Sequence, residues 1–224
     1  MRRDLENPRH HFILPIAFPA MTRRHLRSIP DFTSEVRFMV STAQKPRKLP
    51  VSQPLTAYVF PSELGWMAAA FTGDRLDRLS FGHPISAAAA EALPSTTVFI
   101  SEERDVPQPL RQVVERLQRF ASGENDDFRD IALDLSHLTD FQRRVVQACR
   151  KIKAGQSRSY ADLAAIAGSP RAARAVGNVM RSNRFPLIVP CHRVIGSNGK
   201  LCGFTSPQGL AMKEKLLERE GCRR

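Results

Sequence analysis

Thr139-Asp140-Phe141-Gln142 and Ser159-Tyr160-Ala161-Asp162 both read as capping boxes, and they commit the chain after Leu135 to short helices. In such a box a hydroxyl side chain caps the first turn while the third helical residue reaches back to the cap, so each helix start is fixed locally. Behind the first box Phe141, Val145, Cys149 and Ile152 recur at helical spacing, which makes Cys149 a buried core thiol. The second box opens a short helix that ends near Gly168. Ser169, with Pro170 in the first-turn position where a missing N–H costs nothing, predicts a third helix bearing Arg171, Arg174 and Arg181. Two short helices joined by a tight Gly-Ser-Pro turn form a helix-turn-helix candidate.

Upstream the period changes. Ala57 to Phe60, Trp66 to Phe71 and Arg75 to Phe81 are short β-rich runs, the last two joined by a turn at Thr72-Gly73-Asp74. An alanine-rich helix is predicted around Ile85 to Ala92, a further strand over Thr96 to Ile100, and a helix from the spacing of Leu110, Val113, Val114, Leu117 and Phe120, stopped at Gly123. The fold class is therefore α+β: residues 56–135 make a small antiparallel sheet with helices, and residues 136–224 a mostly helical domain. Residues 1–55 show no sustained period. Over residues 1–50 they hold six of the sixteen prolines and ten Lys/Arg against four acids, and they read as a disordered or loosely packed basic extension in which Met21 and Met39 are alternative starts.

The net charge of +12 favours a polyanionic partner, and residues 141–184 carry ten Lys/Arg with Asp162 as their sole acid. No apolar run approaches a membrane span, and no signal peptide is read. Cys149, Cys191, Cys202 and Cys222 form no CxxC pair, and His10, His11 and His25 have no cysteine partners, so neither a zinc site nor any other metal is expected. Reduced thiols point to a cytoplasmic protein.

Cys191-His192 carries the chemistry. A thiolate, not a thiol, is the nucleophile, and an adjacent imidazole is a candidate base. Taken alone the dipeptide is weak, because adjacent side chains on an extended segment face opposite ways. Its context is stronger: Pro190-Cys191-His192-Arg193-Val194 follows an apolar run and Asn183. That string, with Leu64-Gly65-Trp66, the two capping boxes, Arg174-Ala175-Val176-Gly177-Asn178 and, beyond the cysteine, Lys213, Leu216, Leu217 and Glu220-Gly221, resembles the methylated-DNA–protein-cysteine methyltransferases, also called O6-alkylguanine-DNA alkyltransferases. The resemblance covers roughly residues 56–221.

It implies a ribonuclease H-like N-terminal half, a winged helix-turn-helix-like C-terminal half, and single-turnover transfer of an alkyl group from O6-methylguanine onto Cys191 without a cofactor, with activity on O4-methylthymine left open. By the same resemblance His192 is the base, acting through a bridging water and held by Glu220. Asn183 holds the turn before the cysteine, and Tyr160 donates a proton or hydrogen bond to guanine N3. Arg174 fills the stack after the base flips, from a helix in the minor groove. Arg171, Arg181, Ser159, Ala175 and Gly177 join it at the DNA, and Arg143, Arg144 and Arg158 are candidate phosphate contacts. Pro186, Val194, Phe204, Thr205 and Lys213 line the substrate pocket. The implied partner is duplex DNA containing alkylated guanine, bound by a monomer that is nucleoid-associated when acting, or nuclear in a eukaryote. The alternative is a helix-turn-helix lesion-binding regulator without chemistry, in whose relatives the cysteine position is not Cys. Three departures stand out: Val179 where a small residue is usual, Phe204 where Tyr is usual, and a longer loop over Thr205 to Gly209.

Overall fold

The computed structural model describes residues 54–222; the expectations for the basic extension, its histidines and its alternative starts fall outside them. The first strands are β1 (Thr56–Phe60), β2 (Trp66–Thr72) and β3 (Arg75–His83), followed by helix α1 (Ser86–Glu91) and a two-residue strand β4 (Val98–Phe99). The sheet order is β3-β2-β1-β4. β2 and β3 pair antiparallel through the expected hairpin, with Thr72 opposite Arg75 and Gly73 at φ 61°. β4 corrects the antiparallel expectation: it runs parallel to β1, pairing Thr56 with Val98 and Ala57 with Phe99. The cause is the crossover through α1, which returns the chain to the far side of β1 in the direction that β1 itself runs. A crossover of that kind brings strands together in parallel.

β2 is buried on both faces, and its small residues decide how. Met67, Ala69 and Phe71 point into the main core, whereas Ala68 and Ala70 join Ala57, Ala89 and Leu93 beneath α1. Alanines on that face let the alanine-rich helix lie close to the sheet. At the entrance to β2, Gly65 sits at φ 95°, where a Cβ would come within 2.8 Å of the His83 carbonyl, so a side chain there is excluded twice over.

Helix α2 (Gln108–Ser122) buries Leu110, Val113, Val114, Leu117 and Phe120 as their spacing predicts, and Gly123 closes it at φ 111°. Helix α3 (Asp140–Arg150) and helix α4 (Tyr160–Ile166) each start in a complete capping box, with Thr139 and Ser159 as caps. α4 ends in a Schellman arrangement: Gly168 N–H donates to the Ala165 carbonyl and Ser169 N–H to that of Ala164, with Gly168 at φ 75°.

The third helix begins later than the sequence suggests. Helix α5 spans Ala173–Arg181, with Ala172 as its cap and no side-chain capping bond. Ala172 N–H donates to the Ser169 carbonyl at 2.9 Å, so Pro170 and Arg171 are the middle of a β-turn. A proline's fixed φ suits the second position of a turn as well as the first turn of a helix, and the chain takes the turn. A 3₁₀ turn (Cys191–Arg193) runs into β6 (Val194–Ile195), which pairs in parallel with β5 (Arg158–Ser159), just ahead of α4. Helix α6 (Gly209–Arg219) completes the fold. Its Met212, Leu216 and buried neighbours join the sheet residues in one continuous cluster that also includes Cys149, Val176 and Cys191.

Candidate active site

The segment that carries Cys191 is shaped by a turn that the surrounding side chains hold under strain. Leu187 is a non-glycine residue at φ 71°, in the left-handed region that costs a branched side chain about 1–2 kcal/mol. Asn183 clamps it from both sides: its Nδ2 donates to the Val189 carbonyl at 2.9 Å and its Oδ1 accepts from Phe185 N–H at 3.0 Å. Pro190 then forms an inverse γ-turn at φ −76°, ψ 66°, in which Cys191 N–H donates to the Val189 carbonyl at 2.7 Å. Cys191 and His192 therefore lie on a tight 3₁₀ turn and not on an extended segment, which removes the objection that adjacent side chains diverge.

Cys191 is 7% exposed and His192 fully buried. Burial pushes the Cys191 thiol up, against the opposing pull of the Asn183 side chain, the Lys213 charge and the backbone N–H groups of Cys191 and His192. At rest the group is a thiol, so any attack by this sulfur would need a base. Burial likewise pushes the His192 imidazole down, partly offset by Glu220, and it is neutral.

His192 Nε2 lies 3.0 Å from Glu220 Oε1. Because an ionised carboxylate only accepts, Nε2 carries the proton. Nδ1 is then the basic nitrogen, and it is buried with no hydrogen-bond partner among the described residues. Burial pushes the Glu220 carboxyl up, but hydrogen bonds from His192 and Arg193 outweigh it and hold the group down at about 2. Since the folded value lies below the ordinary 4.5, the stability Glu220 contributes is present above pH 4.5 and lost as pH falls through about 2. Glu220→Gln should flatten the unfolding free energy across that window; a variant whose acid titration follows the parent's would contradict this.

Arg193 is the participant that the sequence reading missed. It is 4% exposed, and its Nε and Nη2 donate to the two oxygens of Glu220 at 2.8 and 2.7 Å, while Nη1 donates to the Ile152 carbonyl at 2.6 Å. A charged residue beside a buried histidine was the available signal, but its partner is 27 positions away.

A cavity of about 620 Å³ opens between α4, α5 and the segment after β6, lined by Tyr160, Arg174, Gly177, Asn178, Arg181 and Cys202 among others; Cys191 is not part of its lining. Tyr160 Oη donates to the Cys202 carbonyl at 3.1 Å, and the buried Lys213 Nζ donates to the same carbonyl at 3.0 Å and to that of Val194 at 2.6 Å. Burial pushes the Tyr160 hydroxyl up and the Lys213 ammonium down. Gly177 leaves the Tyr160 ring open to the cavity: a Cβ there would touch the ring at 4.0 Å.

The residues grouped as a substrate pocket do not share one cavity. Pro186 and Thr205 line a separate space of about 380 Å³ beside β3. Val194 and Lys213 are buried, Phe204 packs edge-on against Phe81, and Thr205 Oγ1 donates to the Arg181 carbonyl at 3.0 Å. Val179 is buried at 6% exposure, facing the core and not the cavity. Among the candidate cations, Arg171, Arg174 and Arg181 are exposed with side chains unbonded among the described residues, and Ala175 is exposed beside Arg174. Arg143 and Arg144 instead serve the fold, donating to the Leu135 and Ala167 carbonyls, and Arg158 donates to the Ser157 carbonyl. The hydroxyl and N–H of Ser159 are both engaged in its capping box.

Fold and site together define an α+β protein with a buried cysteine beside a buried histidine that a carboxylate holds. A family profile described as "6-O-methylguanine DNA methyltransferase, DNA binding domain" matches residues 140–222. The chain is 46% identical over 109 residues to the constitutive methylated-DNA–protein-cysteine methyltransferase of Bacillus subtilis, a match covering 48% of this chain and 64% of that one. It is 43% identical over 112 residues to the methylated-DNA–protein-cysteine methyltransferase of Methanosarcina acetivorans, covering 50% of this chain and 69% of the relative. A crystal structure of Mycobacterium tuberculosis O6-methylguanine methyltransferase superposes with a TM-score of 0.60 at 34% identity, over 75% of this chain and 93% of that one. M. tuberculosis OGT in complex with DNA gives 0.61 at 35%, over 74% and 92%. The chain belongs to the methylated-DNA–protein-cysteine methyltransferase family.

Proposed function

We propose that this protein repairs alkylated DNA by direct reversal, moving the alkyl group from O6 of guanine in a duplex onto Cys191, once per molecule. The observation that carries the reading is the Cys191-His192-Glu220 series, with a neutral imidazole whose proton sits on the nitrogen facing the carboxylate. Its similarity to an OGT that was crystallised with DNA, and to relatives named for this transfer, supports duplex DNA as the partner.

In the proposed step the Cys191 proton passes to His192 Nδ1, through a bridging water. The sulfur lone pair forms the C–S bond as the C–O6 bond breaks, and that electron pair stays with guanine. Tyr160 bonds the leaving base at N3. Its raised pKa suits donation of a hydrogen bond better than loss of the proton, so the proton that guanine gains is, in net terms, the one the thiol gave up. Asn183 keeps the cysteine turn in place. The cavity under Tyr160 receives the flipped base, Arg174 fills the gap in the stack, and Arg171, Arg181 and the backbone around Ser159, Ala175 and Gly177 meet the minor-groove side of the duplex. Pro186, Val194, Phe204, Thr205 and Lys213 shape or support the alkyl pocket, and the protein acts as a monomer. The strand order with a parallel edge strand supports a ribonuclease H-like sheet over residues 56–135, and the β5–β6 pair beside α4 and α5 a winged helix-turn-helix over residues 136–224.

The test is the intact mass of the protein after incubation with excess duplex holding one O6-methylguanine. The expected result is one added methyl group per molecule, on the peptide containing Cys191, with product reaching one equivalent and stopping. Continued turnover, or label on Cys149, Cys202 or Cys222 instead, would overturn it.

A further inference from the structure

We propose that Arg193 is a positioning residue for the transfer: by gripping both oxygens of Glu220 it fixes that carboxylate as the acceptor of the His192 Nε2–H, and so reserves Nδ1 as the base. The inference rests on the alkyl-transfer reading above and adds a residue to it.

The geometry leaves little freedom. Glu220 caps α6 and has a side chain 5% exposed, so it cannot turn to water for its remaining lone pairs. Arg193 supplies Nε and Nη2 as a fork whose spacing matches the two carboxylate oxygens, which a lysine cannot do. The third donor, Nη1, is anchored on the Ile152 carbonyl just past α3, so the guanidinium plane is fixed from a second element. Glu220 Oε1 thus accepts from both Arg193 and His192, and the imidazole ring has one orientation that satisfies it.

The charges around the ring make the same point. His192 faces Glu220 and Lys213 from α6 and Arg193 from its own turn, and Arg193 and Lys213 both disfavour the imidazolium. On its other side Arg193 borders a cavity of about 260 Å³ with Asp126, Asp127, Arg129 and Lys153. Asp126 is held by Arg116 at 2.7 Å and Asp127 by Arg129 at 3.6 Å, which leaves Glu220 as the carboxylate that Arg193 binds. Without Arg193 the buried imidazole and carboxylate would share an uncompensated negative charge. A proton taken up on Nδ1 neutralises that charge, and it occupies the nitrogen that must accept the thiol proton.

The test is the single-turnover rate of methyl transfer to Cys191 across pH, for the parent, Arg193→Gln and Arg193→Lys. The acid limb of Arg193→Gln should move up by about 1–3 pH units, the range by which a neighbouring charge shifts a titrating group. Arg193→Lys should keep the limb near the parent's while transferring more slowly, because it retains the charge and loses the fork. A residue needed for folding alone would lower the amplitude in both variants and move neither limb, and that result overturns the proposal. Should Arg193→Gln fail to fold, ring ¹⁵N spectra of the parent decide: the neutral Nε2-protonated tautomer must persist to below pH 6.5, and an imidazolium at neutral pH overturns the assignment. A parent that transfers nothing to Cys191 would instead refute the underlying activity.

Discussion

Cys191→Ser should reduce transfer by about 10⁴-fold or more, the scale seen when a nucleophile is removed from a coupled catalytic set, while leaving duplex binding at the parent level. Even the thiol is pushed up by burial, and on the proposed mechanism it would react because Asn183, Lys213 and two backbone N–H groups favour the thiolate once His192 takes the proton. A serine hydroxyl in the same place is far harder to ionise, and those same groups fall well short of making up the difference. Binding should be spared because Cys191 is buried, whereas Arg171, Arg174 and Arg181 are exposed. Titration of the variant with labelled duplex, beside the single-turnover rate, separates the two properties. A variant that loses binding in step with transfer would show that the turn around Cys191, and not its sulfur, had been lost.

Arg174→Ala should slow transfer from methylated duplex by about 100-fold, corresponding to the few kcal/mol required to unstack a base, and should leave reaction with the free base O6-benzylguanine nearly unchanged. Arg174 is exposed at the rim of the cavity, on the helix that packs against α4, and its side chain is bonded to nothing among the described residues. It is therefore available for the role of filling a gap in DNA and is not needed to hold the fold. Only the duplex requires extrusion, so only the duplex reaction should suffer. Equal slowing of both would remove Arg174 from the extrusion step and place it in the pocket chemistry.

What could be read from the sequence was local, and what could not was set by distant partners. The β2–β3 hairpin, both capping boxes and the stop at Gly123 were all readable because the groups that fix them lie within a few residues of one another. Pro170 was misplaced because a turn and a helix start make the same local demand of a proline. The parallel pairing of β4 depends on the path taken by α1, and the fork of Arg193 on a carboxylate at the far end of α6, so the local sequence names neither partner. The same holds for Pro186 and Thr205, whose neighbours in space come from β3, so that a motif could name them without saying which cavity they would face.

The short parallel pairing of β5 with β6 joins two jobs mechanically. Arg158 opposes Val194 and Ser159 opposes Ile195, so the residue that caps α4, immediately before Tyr160, is laced to the strand that leaves the Cys191 turn. The helix pair that a duplex would press on the proposed reading, α5 with its partner α4, is thus tied to the segment that carries Cys191. On the proposed reading, a lesion docked out of register would displace the Cys191 turn together with the helices that misplaced it, and fidelity would then depend on stiffness as well as on contact.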